Sequence, residues 1–364
     1  FRTDSYPDGS GTHTPSQVVF TDDIRVDALR RDFGVNALYL DIVRDEIVDP
    51  LGAVSQVKDR IIKTTDNPDR VFAEDGHRIL RMVRFACELG FDIDKDTFNS
   101  AKKYAKYVKD LSVERIYQEI DRIFLADTRH PSKETQYAHY RGVKLLDELG
   151  LLDELFPEMK ALKGFEQNPK YHLYDGFVHT LEAFKMSKPK VRWATLLHDI
   201  GKPPCREKYG NTYIHADIGK DMTVQILERF KMPKDKAKRV CDLIANHMVN
   251  INRDMRKAKL DWFVAEHNSI ALDLADLIDA DTYGATGVYP QENFVRETYN
   301  RLVEEGAPFS VHDLPIDGRD LIEMGVEPKE RNVTLHELWK ESIKNPVYRN
   351  RDKALQYVAK RSEK

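Results

Sequence analysis

From about residue 70 to its end, this sequence repeats apolar residues with the spacing of an α-helix. Between 71 and 90 they stand at positions 72, 79, 82, 83, 86 and 89, and Gly90 follows as a stop signal. The same spacing predicts further helices at 95–109, 112–126, 132–149, 177–187, 190–199, 218–230, 235–249, 257–266 and 270–282. Before residue 62, β-branched and aromatic runs at 17–21 and 37–43 predict strands. We therefore expect a small β-containing piece followed by a long helical body.

Composition narrows the class of protein. The 364 residues are 41% hydrophobic and 32% charged, a mixture that can fill several cores and predicts more than one domain. No apolar stretch reaches the ~18 residues that a membrane span needs, and the first residues lack the features of a secretion signal. Cys87, Cys205 and Cys241 stand far apart, which argues against a disulfide framework and predicts a cytoplasmic protein. The net charge of −4 gives no general attraction to nucleic acid, so an RNA-binding surface has to be local.

Regularly spaced arginines form the first candidate site. Asp75, Arg78, Arg81 and Arg84 follow one another at intervals of three, which places them along a slowly winding ridge of a helix. A solvated helix face with an ion pair between Glu74 and Arg78 explains this spacing without a ligand. The alternative is a surface whose arginines bind triphosphate oxygens and whose Asp–Arg pair meets a nucleobase.

Three motifs in a fixed order carry a family resemblance. They are Arg30-Arg31-Asp32-Phe33 with the residues up to 37, the arginine segment 74–85 and the segment 113–119; the tail adds 314–325. In this order they resemble the class II tRNA nucleotidyltransferases, which comprise CCA-adding enzymes and bacterial poly(A) polymerases. The resemblance covers nearly the whole chain. It implies that the incoming ATP or CTP is bound by Arg31, Asp32, Asp75, Arg78, Arg81 and Arg84.

The same resemblance assigns finer roles and shows a departure. It implies that Asp75 and Arg78 pair with the base edge, and that Glu114 and Arg115 lie in a helix that braces the neck. Members of this family begin with a Gly-Gly turn and an Asp-x-Asp pair that binds two magnesium ions. By the family's order both belong before Phe1. We therefore expect that the chain alone does not transfer nucleotides, because that segment is lost, is supplied by a separate head chain, or has decayed.

Histidines and aspartates in the second half form the second candidate site. In chain order they are His179, His198, Asp199, His215, His247 and Asp281. Imidazole and carboxylate ligands suit Mg, Mn, Fe, Ni or Zn, and mixed sites often hold two metals that activate a water. Single residues such as His172, Asp217 and Asp279 are explained as ordinary core or surface residues.

The ordered set of histidines and aspartates resembles the HD phosphohydrolase superfamily. That resemblance makes primary metal ligands of His179, His198, Asp199 and Asp281. It places a second metal position at His215 and His247, makes Asp199 the catalytic residue and lets Lys202 contact phosphate. It implies hydrolysis of phosphoesters, such as 2′,3′-cyclic or 2′ phosphates.

Basic stretches interleaved with tyrosine form a third candidate surface. Lys102, Lys103, Lys106 and Lys109 alternate with tyrosines, and further cations stand at 231–239 and 349–353. Ordinary solvated helix faces explain them, and so does a track along tRNA phosphates. The sequence alone leaves both open.

These arguments combine into a mostly α architecture. Its expected parts are the remnant of a nucleotidyltransferase α/β head at 1–62, a nucleotide- and RNA-binding neck at 63–126, a helical body at 127–165, an HD domain at 166–290 and a helical tail at 291–364. The expected function is CCA addition or polyadenylation of tRNA or other RNA 3′ ends with ATP or CTP and a divalent metal, by a monomer or homodimer. Two alternatives stay open: an HD phosphodiesterase or phosphatase as the only activity, and a non-catalytic RNA-binding subunit.

Overall fold

A computed structural model describes residues 1–5, 17–251 and 257–362. Helices dominate this part of the chain, and its strands are short and lie within the first hundred residues. The expected mostly α fold with a small β head is therefore confirmed.

The head consists of short strands and helices. In chain order they are β1 (Arg2–Ser5), β2 (Gln17–Phe20), α1 (Ile24–Leu29), β3 (Tyr39–Asp41), β4 (Glu46–Val48), α2 (Val54–Lys58) and β5 (Ile61–Ile62). The first four strands form two antiparallel hairpins, β1 with β2 and β3 with β4. The strand expected over 37–43 is shorter, because residues 34–36 form a 3₁₀ turn that ends just before it.

The neck follows as a group of helices with one strand. Its elements are α3 (Pro68–Glu74), α4 (His77–Leu89), β6 (Asp92–Ile93), α5 (Lys95–Tyr104), α6 (Val113–Phe124) and α7 (Ala126–Arg129). Strand β6 pairs in parallel with β5, which ties the neck to the head. The helix expected over 71–90 is broken, because Asp75 is extended (φ −152°) and α4 starts afresh after Gly76. It ends as predicted at Gly90, whose φ of 65° favours glycine.

The body and the HD region continue the helical chain. They comprise α8 (Ala138–Glu148), α9 (Leu151–Leu155), α10 (Gly176–Met186), α11 (Arg192–Leu197), α12 (Lys202–Tyr209), α13 (His215–Arg229), α14 (Lys234–Asn246), α15 (Lys257–Glu266) and α16 (Asn268–Thr286). The helix expected over 132–149 begins only at Ala138, because Tyr137 adopts a left-handed conformation (φ 62°). The tail adds α17 (Phe294–Glu304), α18 (Gly318–Glu323), α19 (Pro328–Lys344) and α20 (Arg351–Ser362).

A continuous contact joins the neck to the HD region. The Trp193 ring lies 4.9 Å from that of Phe124, and its Nε1 donates to Asp121 at 2.7 Å. Arg192 binds both oxygens of Asp127 at 2.6 Å. Buried residues from both sides belong to one core cluster, so the two candidate sites are held on a shared frame. In the part of the chain that the structure describes, no helix has the length and apolarity to cross a membrane.

Candidate functional site

A polar cleft of about 540 Å³ lies where the head meets the neck. It is lined by Arg2, Arg30, Arg31, Asp32, Asn36, Asp75, His77, Arg78 and Arg81. All the residues of the expected nucleotide site are in this set except Arg84. The structure thus brings together two motifs that stand more than forty residues apart in the sequence.

An ion pair between Asp32 and Arg81 crosses this cleft. Arg81 Nε lies 2.5 Å from one oxygen of Asp32, and the other oxygen accepts the Asn36 side-chain amide at 3.0 Å. Burial raises the pKa of Asp32, but the charge of Arg81 outweighs it and holds that pKa below its usual value. The carboxylate is therefore ionised at neutral pH and fixes the guanidinium at the cleft wall.

Arg78 has contacts that match both interpretations of the arginine segment. Its guanidinium makes the predicted ion pair with Glu74 at 3.1 Å. It also donates to the backbone carbonyls of Val71 at 3.0 Å and Arg30 at 3.2 Å, while it lines the cleft. These contacts hold the arginine in one orientation, with its guanidinium next to the head.

Asp27 is a residue of this site that the sequence analysis missed. Its buried carboxylate accepts hydrogen bonds from Arg30 Nη2 at 2.7 Å, Arg31 Nη2 at 3.1 Å and the Tyr39 hydroxyl at 2.7 Å. Burial raises the pKa of Asp27, and these donors hold it well below its usual range. The sequence did contain a signal for this role. Asp27 precedes Arg30 by three residues and Arg31 by four, a spacing that places the three side chains on one side of a helical turn.

Arg84 lies outside the cleft, contrary to the expectation of one continuous arginine surface. Its buried guanidinium pairs with Glu119 at 2.6 Å and Glu88 at 2.8 Å, and stacks 4.0 Å from the Phe85 ring. Residues three apart advance by ~300° on a helix, so successive arginines rotate away from one face. Arg84 therefore braces α4 against α6 inside the neck.

The six predicted metal ligands do converge in the HD region. Two groups of side chains offer ligand atoms within 4.8 Å of one another: the first is His179, His198 and Asp281, and the second is Asp199, His215 and His247. Helix α10 carries His179, α13 begins with His215 and α16 carries Asp281, whereas His198 and Asp199 directly follow α11 and His247 directly follows α14. All are buried except Asp281, which is partly exposed.

The carboxylate of Asp199 lies between the two groups. One oxygen is 3.2 Å from His179 Nε2, and the other is 3.3 Å from His215 Nε2. Neither oxygen accepts a well-aligned hydrogen bond from the protein, although Lys202 Nζ lies 2.6 Å away. A buried carboxylate without aligned donors would be able to hold a divalent metal.

The histidine rings of this cluster are oriented for metal binding. Nδ1 of His198, His215 and His247 each lies 2.7 Å from the backbone carbonyl three residues earlier. Because a carbonyl only accepts, each Nδ1 carries a proton, and in the neutral ring Nε2 then presents its lone pair to a metal. Facing Nε2 atoms then lie 3.2 Å apart for His179 and His198, and 3.1 Å apart for His215 and His247. At His215 and His247, where Nδ1 carries the proton in both rings, two lone pairs this close repel each other unless a cation binds there.

The charged side chains of the cluster shift one another's pKa values. Burial lowers the pKa of His179, but Asp199 and Asp281 outweigh it and raise that pKa to about 9. Burial raises the pKa of Asp199, but the charges of His198 and Lys202 hold it well below its usual value. The donor set of imidazole nitrogens and carboxylates thus fits divalent metals.

Lys202 links this cluster to the segment before α10. Its Nζ contacts Asp199 at 2.6 Å and donates to Gln167 Oε1 at 2.8 Å. His172 from that segment packs its ring 5.2 Å from His179, so it lies next to the cluster rather than at an unrelated surface. The carboxylate of Asp279, by contrast, accepts hydrogen bonds from Arg296 at 2.6 Å and from the side-chain amide of Asn293 at 2.7 Å. These contacts explain it as a structural residue.

The basic stretches divide into two kinds. The four neck lysines Lys102, Lys103, Lys106 and Lys109 are exposed on α5 and the 3₁₀ turn that follows it. In the 231–239 stretch, Lys231 pairs with Glu114 at 2.5 Å and Lys236 with Asp121 at 2.5 Å. That stretch therefore bonds the HD region to the neck, as an ordinary structural role predicts.

Comparisons with known proteins match three segments of the chain. Residues 1–63 match the poly A polymerase head domain, 90–163 the probable RNA and SrmB-binding site of polymerase A, and 176–283 the HD domain. An A-adding tRNA nucleotidyltransferase of Deinococcus radiodurans is 33% identical over 279 residues, which are 73% of this chain and 61% of that protein. The multifunctional CCA protein of Pasteurella multocida is 29% identical over 76% of this chain and 69% of its own length.

The chain belongs to the class II tRNA nucleotidyltransferase and poly(A) polymerase family, and it carries an HD domain. The fold agrees with this membership. The crystal structure of the Bacillus stearothermophilus CCA-adding enzyme in complex with CTP superposes with a TM-score of 0.67 at 22% identity, over 100% of this chain and 78% of that one. The chain spans about three fifths of the length of the Deinococcus radiodurans nucleotidyltransferase.

Proposed function

We propose that this chain provides the nucleotide-selecting cleft and the RNA-binding surface of a tRNA nucleotidyltransferase, with ATP or CTP as nucleotide and an RNA 3′ end as acceptor. The observation that carries the proposal is that Asp75, Arg78 and the Asp32–Arg81 pair line one cleft. The names of the related proteins support the same reaction class.

The side chains of the cleft suit adenine and cytosine. Both bases present an amino group beside an unprotonated ring nitrogen, whereas guanine and uracil present a carbonyl beside an N–H. A carboxylate that accepts from the amino group, next to a guanidinium that donates to the ring nitrogen, therefore selects ATP and CTP. We assign the acceptor role to Asp75 and the donor role to Arg78, so that the protein reads the base without a nucleic-acid template.

The arginines held by Asp27 suit the triphosphate. Arg30 and Arg31 line the same cleft as the base-reading pair, and bidentate guanidinium groups are strong phosphate ligands. A divalent metal, magnesium in our proposal, supplies charge neutralisation during transfer when it is bound. The residues of this chain orient the nucleotide for that step.

Nucleotide binding by the purified chain tests this proposal. Isothermal titration with the four ribonucleoside triphosphates should show ATP and CTP binding at least about tenfold more tightly than GTP and UTP. Asp75→Ala and Arg78→Ala should each reduce this preference. Arg319→Ala changes an exposed arginine of the tail and serves as the control. Equal binding of all four nucleotides, or of none, would contradict the proposal.

The same chain surrounds the cleft with surfaces that suit RNA. We propose that the neck lysines 102, 103, 106 and 109 follow the tRNA backbone, since they are exposed on one helix and its extension. We keep the five domains inferred above and a cytoplasmic location as part of the proposal. The three cysteines are buried free thiols, as expected for a reducing compartment.

The HD domain has a second proposed function, metal-dependent hydrolysis of phosphoesters. The observation that favours it is the convergence of two three-ligand groups around Asp199. Bound divalent metals supply an activated water and polarise the phosphoryl group. In the hydrolysis the water oxygen forms the new P–O bond, the ester P–O bond breaks, and the leaving oxygen takes up a proton from water. We assign the contact with the phosphate oxygens to Lys202, whose Nζ lies 2.6 Å from Asp199.

Hydrolysis of bis(p-nitrophenyl) phosphate tests this second function. With Mg, Mn, Fe, Ni and Zn supplied in turn, at least one should support turnover, and a chelator should abolish it. Asp199→Ala should lower the rate at least about 100-fold, because a carboxylate that would hold the metal is lost. His312→Ala, a change at an exposed histidine of the tail, should leave the rate unchanged. Absence of turnover with every metal would refute the assignment.

A further inference from the structure

The HD centre is bordered by exposed aromatic side chains that neither proposed activity uses. Tyr171 is 59% exposed, Tyr174 39% and Tyr213 87%. Leu173 and Ile214, their neighbours in the sequence, are exposed as well. Large apolar groups concentrated at the surface around a site mark a place of interaction. We call Tyr171, Tyr174 and Tyr213 the tyrosine rim.

The tyrosine rim is carried by two segments of the chain, 171–174 and 212–214, and both contact the metal-ligand cluster. His172, which follows Tyr171, packs its ring 5.2 Å from His179. Thr212, which precedes Tyr213, accepts the Nδ1–H of His215 on its carbonyl at 2.7 Å. A molecule with its phosphoester at the cluster therefore lies within reach of these rings.

The segment that carries Tyr171 and Tyr174 forms a wall of the centre through its contacts with α12 and α16. Lys202 of α12 joins Gln167 to the cluster, and Arg206 of the same helix donates to the carbonyl of Glu166 at 2.6 Å. On the other side, the backbone N–H of Leu173 donates to the carbonyl of Ala285 at 2.9 Å. Ala285 lies one helical turn beyond Asp281, so the segment before α10 spans the centre from α12 to α16.

The charge of this wall identifies the chemistry of its occupant. Lys170 Nζ lies 5.2 Å from the centroid of the Tyr171 ring, and Lys208 Nζ lies 5.0 Å from that of Tyr209. Aromatic faces beside lysines are the composition that binds single-stranded nucleic acid, where bases stack on rings and phosphates meet cations. An apolar peptide would offer no anionic group to these lysines.

We propose that the tyrosine rim stacks the last bases of a single-stranded RNA end whose terminal phosphoester is hydrolysed at the HD centre. This proposal rests on the phosphohydrolase function proposed above and names its substrate class as oligonucleotide ends rather than small phosphate esters. The water, the broken ester bond and the proton transfer are those already described for that function.

Photo-crosslinking tests the rim without requiring turnover. A penta-uridylate with 5-iodouridine at its 3′ end and a 3′-terminal phosphate is irradiated with the full chain, and modified peptides are mapped by mass spectrometry. We expect modification at Tyr171, Tyr174 or Tyr213. Crosslinks confined to other parts of the chain would overturn the proposal.

Kinetics then test whether the stacking contributes to hydrolysis. The readout is the ratio of kcat/KM for a penta-adenylate 3′-phosphate to that for glycerol 2-phosphate, which has no base to stack. Tyr213→Ala should lower this ratio about tenfold, whereas Tyr213→Phe should retain it, because stacking requires the ring and not the hydroxyl. Val333→Ala, an exposed position on the tail helix α19, is the control.

The outcomes separate the two proposals. An unchanged ratio in Tyr213→Ala and in Tyr171→Ala would refute the stacking role while the phosphohydrolase function stands. If the unmodified chain hydrolyses neither substrate, the phosphohydrolase function fails, and the crosslinking result still decides whether RNA binds at the rim.

Discussion

Asp27 holds Arg31 by two N–H groups, at 3.1 and 3.2 Å, and thereby fixes one wall of the polar cleft between head and neck. The same carboxylate accepts from Arg30 and from the Tyr39 hydroxyl. Two adjacent arginines would otherwise repel each other, so a buried carboxylate between them is what keeps both at the cleft. In the proposed nucleotide site Asp27 is thus a positioning residue, since it would act on the nucleotide only through the arginines.

Asp27→Asn should weaken triphosphate binding more than base recognition. The amide cannot neutralise Arg30 and Arg31, so we expect the affinity for ATP to fall about tenfold and the affinity for adenosine to change by less than about twofold. Titration calorimetry with both ligands measures the two effects. Asp41→Asn, which affects an ion pair with Arg44 in the exposed hairpin, should change neither affinity. An equal loss for ATP and adenosine would argue for a general collapse of the cleft instead.

Divalent metal should stabilise the chain through the HD cluster. At a concentration about 100-fold above its Kd, a metal that binds only the folded state adds about 2.7 kcal/mol, which should raise Tm by several degrees. His198→Ala removes a ligand that faces His179 and should abolish this shift. His312→Ala should shift as the unmodified chain does. Differential scanning fluorimetry with Mn and Ni measures the effect, and an identical shift in His198→Ala would place the metal elsewhere.

The helical pattern predicted most of the fold, because burial of one helix face determines the spacing of apolar residues. The pattern gave a wrong helix boundary where the backbone conformation of a few residues ends one helix and starts the next. Asp75 and Gly76 lie inside a helical pattern, but Gly76 approaches the backbone of Tyr107, where a Cβ would lie 2.9 Å from the carbonyl. This contact depends on a segment thirty residues away, which local spacing cannot show.

The convergence of the six histidines and aspartates was predictable from the sequence, and the lining of the cleft only in part. Histidines and aspartates in a fixed order leave few alternatives, and the structure brings all six together. Arginines are ambiguous, because the same side chain binds phosphate or braces a core. Arg84 and Arg81 stand three residues apart, yet Glu119 holds one inside the neck and Asp32 holds the other at the cleft. Their carboxylate partners decide the role, and those partners are distant in the sequence.

Neutralising the neck lysines should weaken RNA binding in a salt-dependent way. Each lysine that meets a phosphate releases counterions, so Lys106→Ala and Lys109→Ala should each lower tRNA affinity and reduce the slope of log K against log salt by about 1. Filter binding at several salt concentrations measures this slope. Lys238→Ala, at a cation paired with Asp242 on α14, is the matched control. An unchanged slope in both neck variants would remove these lysines from the RNA surface.

Asp127 should make the stability of the chain depend on acid pH. Burial raises the pKa of Asp127, but His139 and Arg192 outweigh it and hold that pKa well below its usual range. The folded state therefore binds fewer protons than the unfolded chain, in which an aspartate titrates near ~3.9. The contribution of Asp127 is present above that value and is lost as the pH falls below it.

The variant Asp127→Asn isolates this contribution. At pH 7 it should lower the free energy of unfolding by about 2–3 kcal/mol, less than for a fully buried pair because Asp127 keeps some exposure. The difference from the unmodified chain should shrink once the pH falls below about 4. Urea unfolding across pH measures it. Asp92→Asn, at an exposed pair with Arg141, should cost less than about 0.5 kcal/mol. A pH-independent difference would show that charge is not its cause.

Gly201 should be essential for the geometry of the metal cluster. It lies between Asp199 and α12, and a Cβ there would overlap the carbonyl oxygen of His215 and lie 2.5 Å from the backbone nitrogen of Gly219. Both neighbours are backbone atoms of α13, so a methyl group can be accommodated only if that helix moves, and His215 moves with it. Gly201→Ala should therefore destabilise the chain by about 3 kcal/mol or more and abolish the metal-induced Tm shift.

The control for this variant is Gly318→Ala, because a Cβ at the first residue of α18 meets no atom within 4 Å. It should change neither the Tm without metal nor the shift with metal. If Gly201→Ala keeps the full metal-induced shift, α13 does not have to approach this closely for His215 to reach the cluster. A loss of stability with an intact shift would then separate the packing role of Gly201 from metal binding.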